Sequence, residues 1–258
     1  MQRNDTGLTR QRMAPDARRE AILDAAHALF MERGWEAVTI ADVLEAASIS
    51  KGGFYHHFAA KEDLLSGIIA RMTERAVNAT ELADDRTCGD ALARLNAFLT
   101  GSIRWTADNS EGLRGLVQIL SKPGNNVLYQ RVCDAEATVV MPVLARIIRD
   151  GVFEGTFDTV DADLTAGIML SLSQGRREIL VDVLGLATQG DLTSATKQLD
   201  ARMRAEGAIF DRLLGLAEGS VAMANPREYR RMLAGLVGPG GDKVGVDASA
   251  HRNLERKD

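Results

Sequence analysis

Aromatic residues make up only 5% of this 258-residue chain. No stretch of it approaches the ~18 uninterrupted apolar residues that a membrane span needs, so no membrane-spanning segment is expected. With few aromatics and few β-branched alternations, no credible strand pair can be found, which argues against a β-rich fold. Cysteine is equally scarce. Cys88 and Cys133 have no paired spacing and no secretory context, so no disulfide is expected. The four histidines, His27, His56, His57 and His251, show no metal-ligand spacing with cysteine or carboxylate. There is no phosphate-binding loop, dinucleotide fingerprint or nucleophile elbow, and no acid–base pair. An enzyme, a metal and a cofactor are therefore not expected.

Positive charge is not in excess either. The formal net charge is −5, which excludes a globally basic nucleic-acid binder. Residues 1–61 hold 8 Lys/Arg against 8 Asp/Glu, leaving 23 against 28 in the remainder, so the acidity belongs to the second part. The opening segment is locally basic: Arg3, Arg10, Arg12, Arg18 and Arg19 outnumber Asp5 and Asp16. A flexible arm of this charge could add salt-dependent attraction to DNA, or it could be a solvated leader. It has no apolar core of the kind a secretory signal carries, and a cytoplasmic protein is expected.

Helical periodicity is what the chain has in abundance. Asp16 is placed to cap a first helix whose apolar residues Ile22, Ala26, Leu29 and Phe30 share a face, and Gly34 stands where a left-handed residue ends one. Thr39 and Asp42 have capping-box spacing. Ile40, Val43, Leu44 and Ala47 then follow at i, i+3, i+4, i+7. Ser48-Ile49 breaks that pattern, with Ile49 as an apolar plug, and Ser50 can cap the next helix. The result is helix, tight turn, helix.

In the second of these helices Phe54 and Phe58 lie four apart and face the core. Ser50, Lys51, Gly52, Tyr55 and His56 are left pointing elsewhere. They offer hydroxyls, a cation and an imidazole, with almost no bulk at Gly52, which suits approach to phosphates and base edges. A fourth helix opens at Lys61 and carries Leu64, Leu65, Ile68, Ile69 and Met72 as its apolar stripe.

The run from Ala17 to Arg75 resembles the DNA-binding domain of TetR/AcrR-type transcriptional regulators. The resemblance rests on I-L-D-A-A-H-A-L-F at Ile22 to Phe30, G-W at Gly34, T-I-A-D-V at Thr39 and F-Y-H-H-F-A-A-K-E-D-L-L at Phe54. It covers about a quarter of the chain. By position it implies that Thr39 touches phosphate, that Ser50, Lys51 and Gly52 face the major groove, and that Tyr55, His56 and Lys61 hold the flanking backbone. The chain departs from the family at Ala59-Ala60, where a polar cap usually precedes the lysine, so a poorly capped fourth helix is expected.

Past Arg75 the chain reads as further helices over Ala91 to Thr106, Leu113 to Leu120, Val127 to Asp150, Ala162 to Leu186, Leu192 to Ala217 and Asn225-Pro226 to Leu236. Glycine and charge from Gly238 onward predict a disordered tail. The expected division is an arm over 1–15, a helix-turn-helix DNA-binding domain over 16–76, a helical ligand-binding and dimerisation domain over 77–236, and a tail over 237–258.

The fold expected is therefore all-α. Arg104, Trp105, Gln118, Met141, Met169 and Gln174 are candidate ligand-binding residues, since they lie on predicted helices among apolar neighbours. Leu172, Ile179, Val183, Phe210 and Leu213 are candidates for a dimer interface, with an intramolecular core as the alternative. The resemblance implies the same homodimer.

The function expected is a ligand-released repressor acting as a homodimer on a palindromic double-stranded DNA operator, with an unidentified small-molecule effector. An activator or co-repressor-dependent regulator could use the same contacts. From another class, an all-α carrier or enzyme with a vestigial DNA motif is the alternative.

Overall fold

The computed structural model describes residues 15–84, 89–122 and 124–238. Residues 1–14 of the basic arm and the tail beyond Gly238 lie outside the described residues, as does Cys88, whereas Arg18 and Arg19 belong to the first helix. Eleven helices occur among the described residues and no strand. They are α1 Pro15–Arg33, α2 Ile40–Ala46, α3 Lys51–Tyr55, α4 Lys61–Asp84, α5 Ala91–Asp108, α6 Ser110–Ser121, α7 Asn126–Glu154, α8 Ala162–Gln174, α9 Arg177–Thr188, α10 Leu192–Leu213 and α11 Pro226–Val237.

The local signals act as the sequence suggests for α2 and α3. Thr39 Oγ accepts from the Asp42 amide at 3.2 Å, while the Asp42 carboxylate accepts from the Thr39 amide at 2.7 Å, completing the capping box. Ser50 Oγ accepts from the Gly53 amide at 3.2 Å and starts α3. Between them Ser48 adopts a left-handed conformation, φ 53°, which turns the chain sharply enough for Ile49 to pack on the core. Gly34, φ 79°, ends α1 with its amide donating to the Phe30 carbonyl.

Three local expectations need correction. Asp16 lies within the first turn of α1 rather than capping it, because the helix already includes Pro15. The start of α4 is well capped despite Ala59-Ala60. Asp63 reaches back from the first turn and accepts from the amides of Ala59 at 2.8 Å and Ala60 at 2.9 Å. Third, Ala162 to Leu186 is two helices, broken at Gly175-Arg176.

Two apolar clusters hold the chain together. The first joins Ile22, Phe30, Phe54, Phe58, Leu64 and Ile68 of α1 to α4 with Leu116 and Ile119 of α6 and Leu128 and Val132 of α7. Arg71 of α4, itself buried, pairs with Glu20 at 3.0 Å and Asp24 at 2.7 Å on α1. Gly67 lets α1 and α4 approach closely, for a Cβ there would stand 2.9 Å from Leu23. The second cluster is built from α5 and α7 to α11, and Val77 of α4 belongs to it. The expected boundary between 76 and 77 thus falls inside one continuous helix that supplies both cores.

Candidate nucleic-acid interface and interior cavity

The surface side of α3 is set by what lies beneath it. Phe54 is fully buried and Phe58 nearly so, their ring centroids 5.8 Å apart. The helix itself is shorter than the spacing suggests and ends at Tyr55. Phe58 stays on the same side because its amide still donates to the Phe54 carbonyl at 2.9 Å. With these rings turned inward, Ser50, Lys51, Gly52, Tyr55 and His56 are all exposed, and Tyr55 retains 49% of its accessible surface.

Gly52 is informative by contrast with Gly67. A Cβ built at Gly52 meets no atom within 4 Å, and its backbone is not left-handed. Nothing among the described residues requires glycine there. Lys51 Nζ lies 6.0 Å from the centre of the Tyr55 ring, so the cation and the phenol occupy one small patch.

Thr39 is exposed at the start of α2, but its hydroxyl donates to Asp42 at 2.6 Å and is already engaged. Lys61 differs from its expected role. Its ammonium donates to the Trp35 carbonyl and lies 4.4 Å from the centre of the Trp35 ring. Partial burial there holds its pKa below the ordinary lysine range. It fastens the segment between α1 and α2 to the start of α4 and is not free to reach outward.

A cavity of about 130 Å³ lies among α5, α7, α8 and α10. Of the six ligand candidates only Met169 lines it. Arg104 and Gln118 are on the exterior, Trp105 and Met141 are partly buried elsewhere, and Gln174 donates to the Cys133 carbonyl at 3.0 Å. The polar lining comes instead from Ser102, Glu136, Ser173 and Arg176, which sequence reading missed. A signal existed for one of them: Glu136, Val140 and Leu144 stand four apart on α7, placing an acid on an otherwise apolar stripe.

Arg176 lies at the break between α8 and α9. Its Nε donates to Glu206 Oε2 at 2.7 Å and its Nη2 to Ser173 Oγ at 3.0 Å and to Glu206. Arg202 Nε donates to the other Glu206 oxygen at 2.6 Å, so a carboxylate whose side chain is 1% exposed holds two guanidiniums. The next residue, Arg177, points another way. It donates to the carbonyls of Leu120 at 3.1 Å and Lys122 at 3.1 Å and to the Asn126 side chain, tying the start of α9 to the junction of α6 and α7.

The dimer candidates also divide. Val183 and Phe210 are buried within the single chain and cannot face a second subunit. Leu172, Ile179 and Leu213 are partly buried against the same core. An exposed apolar row lies elsewhere, at Leu164 and Ile168 on one side of α8 with Val160 just before that helix.

Residues 22–68 match the family described as bacterial regulatory proteins, tetR family. Among curated proteins, the HTH-type transcriptional regulator AlkX of Mycobacterium tuberculosis is 27% identical over 129 residues, which is 50% of this chain and 59% of that one. The HTH-type transcriptional repressor KstR2 of the same species is 41% identical over 54 residues, 21% of this chain and 27% of its own length. The HTH-type transcriptional regulator UidR of Escherichia coli is 26% identical over 167 residues, 64% of this chain and 81% of that one. The alignments thus span little more than half of AlkX and about a quarter of KstR2.

Among solved structures, RolR in complex with resorcinol superposes with a TM-score of 0.55 at 19% identity, over 85% of this chain and 94% of that one. That likeness concerns the fold. No helix among the described residues is long and apolar enough to cross a membrane.

Proposed function

We propose that this chain, whose residues 22–68 match the tetR family of bacterial regulatory proteins, is a sequence-specific DNA-binding transcriptional regulator, a repressor released from a palindromic operator by a small molecule. The observation that carries the reading is the exposure of Lys51, Gly52, Tyr55 and His56 above the buried Phe54 and Phe58. Lys51 and Ser50 reach base edges and phosphate in the major groove, while Tyr55 and His56 brace the adjacent backbone. Thr39 meets phosphate only if its hydroxyl gives up Asp42, so it is the weaker contact. The sign is supported by the relative KstR2, which is named a repressor.

One α3 spans few base pairs, and two related by a two-fold axis read a palindrome with half-sites about 34–36 Å apart or a multiple of it. The row Val160, Leu164 and Ile168, unpartnered in the single chain, is the surface on which the second copy sits. Release works by changing the half-site separation, for a ligand shifts an equilibrium only through differential affinity for its two states.

The cavity is linked to the N-terminal helices through the backbone between Arg176 and Arg177 and, beyond it, by polar contacts. Arg176 lines the cavity and Arg177 grips the α6–α7 junction. From that junction Lys122 pairs with Glu36 at 2.8 Å, and Arg131 of α7 pairs with Asp63 at 3.1 Å at the cap of α4.

Footprinting of the purified protein on the DNA flanking its own gene, at moderate salt, tests the proposal. Two-fold symmetric protection of a palindrome is expected. A monomeric footprint overturns the dimer, and the absence of any protection overturns the regulator. A second measurement concerns Gly52. Gly52→Ala is expected to stabilise the folded protein by about 0.5–1 kcal/mol, because an exposed helical glycine is worse than alanine. The same methyl group intrudes on the duplex and weakens binding by about 1–3 kcal/mol, the scale of overpacking a close-fitting contact. A thermal melt and a titration on one sample read both signs. Gains in both would remove Gly52 from the interface.

A further inference from the structure

We infer that the cavity among α5, α7, α8 and α10 takes a small organic cation, an amine attached to an apolar body about the size of one six-membered ring, with its ammonium on Glu136. The inference rests on the proposed effector role of this cavity and goes beyond it by naming the ligand's chemistry.

Size comes from the volume. About 130 Å³ is close to the cavity of ~150 Å³ that holds benzene when lined by leucine, isoleucine and phenylalanine. Apolar lining such as Phe98, Met169 and Phe210 suits a ring or a short branched chain and gives it nothing to hydrogen-bond.

Polarity comes from what the protein leaves unanswered. Ser102 Oγ donates to the Phe98 carbonyl at 2.9 Å and Ser173 Oγ to the Met169 carbonyl at 3.1 Å, so both hydroxyl protons are spent within their own helices. Arg176 is matched by Glu206, and its Nε and Nη2 are engaged there and on Ser173. Arg202, on the far oxygen of Glu206, is partly in water and screened. Glu136 alone among these groups carries no hydrogen bond and no ion pair within the described residues. Burial pushes its carboxyl above the ordinary carboxylate range, with the more distant Arg176 opposing the shift.

The cavity therefore offers acceptors, and its uncompensated group is an acid. A ligand that donates and carries positive charge satisfies that acid. An aliphatic or benzylic ammonium does so with three donors, enough to meet Glu136 and the lone pairs of Ser102 and Ser173 together.

Calorimetric titration of the full chain with benzylamine, benzyl alcohol and benzoate, three probes of nearly equal size, tests the assignment. Benzylamine is expected to bind at least about tenfold more tightly than benzyl alcohol, the ratio one charge-assisted hydrogen bond supplies. Glu136→Gln, checked for retained helicity by circular dichroism, is expected to remove that preference while leaving binding of the alcohol within about twofold. Equal affinity for amine and alcohol, an amine preference that survives in Glu136→Gln, or tighter binding of benzoate, which would answer the remaining Nη1 of Arg176, each overturn the inference.

A titration in the presence of operator DNA separates the two readings. Benzylamine that binds with the stated preference but leaves the DNA complex intact upholds the ligand class and refutes release. Loss of the preference with DNA binding intact refutes the ligand class alone.

Discussion

The double substitution Lys51→Ala with Tyr55→Ala is expected to weaken operator binding by at least about 100-fold while the protein stays folded. Each base or phosphate contact on this scale is worth about 1–3 kcal/mol, and a dimer loses every contact twice. The structural cost is small by comparison. Both side chains are exposed, and Tyr55 meets the core only through the edge-on contact of its ring with Phe54, at 5.3 Å between centroids. Because the Lys51 ammonium lies over the Tyr55 ring, the single substitutions are not independent, and the pair is the cleaner experiment. Fluorescence anisotropy at fixed salt, with far-ultraviolet circular dichroism on the same samples, decides it. Unchanged affinity with unchanged helicity would place the reading surface somewhere other than α3.

Glu206→Gln is expected to destabilise the protein by about 3 kcal/mol. Breaking a buried ion pair by removing one partner costs about 3–5 kcal/mol, and the lower end applies because both arginines keep some access to water. The amide that replaces the carboxylate cannot accept from Arg176 and Arg202 with the same strength, and it brings two donors of its own into a site full of donors. The denaturant midpoint should fall with no change in slope. A second variant separates charge from shape. Arg176→Met, Arg202→Leu and Glu206→Leu together remove all three charges and should recover most of the loss. A midpoint for Glu206→Gln within error of the parent would show that the carboxylate contributes nothing to stability.

The candidate interface is more legible in the sequence than the cavity, for a physical reason. Capping spans only four residues, so Thr39 with Asp42 and Ser50 with Gly53 can be read from neighbours in the chain. Phe54 and Phe58 follow a spacing of four. The cap on α4 was equally local, but Asp63 reads first as an acid near a helix dipole, and its reach back to Ala59 and Ala60 depends on the turn that precedes it.

What periodicity cannot supply is the identity of the neighbour on an apolar face. Val183 and Phe210 were apolar at helical spacing whether they met the same chain or another. The break at Gly175-Arg176 was hidden for a similar reason: it is fixed by Arg176 reaching Glu206, thirty residues on. The cavity shares that origin, since its walls come from four helices and no short window contains them. Arg104 and Gln118 had apolar neighbours in sequence but stand on the outer faces of their helices.

The helix α4, 24 residues without interruption, begins under the Phe54 and Phe58 cluster and contributes Val77 to the other one. At a rise of 1.5 Å per residue it is about 36 Å long. A cut at Arg75 or Ala76 would sever a helix in mid-course and strip Leu116, Ile119, Leu128 and Val132 from the apolar cluster they close. The first four helices are thus not a detachable module, and a chimera made by grafting them onto a relative's body inherits a mismatched seam along α6 and α7.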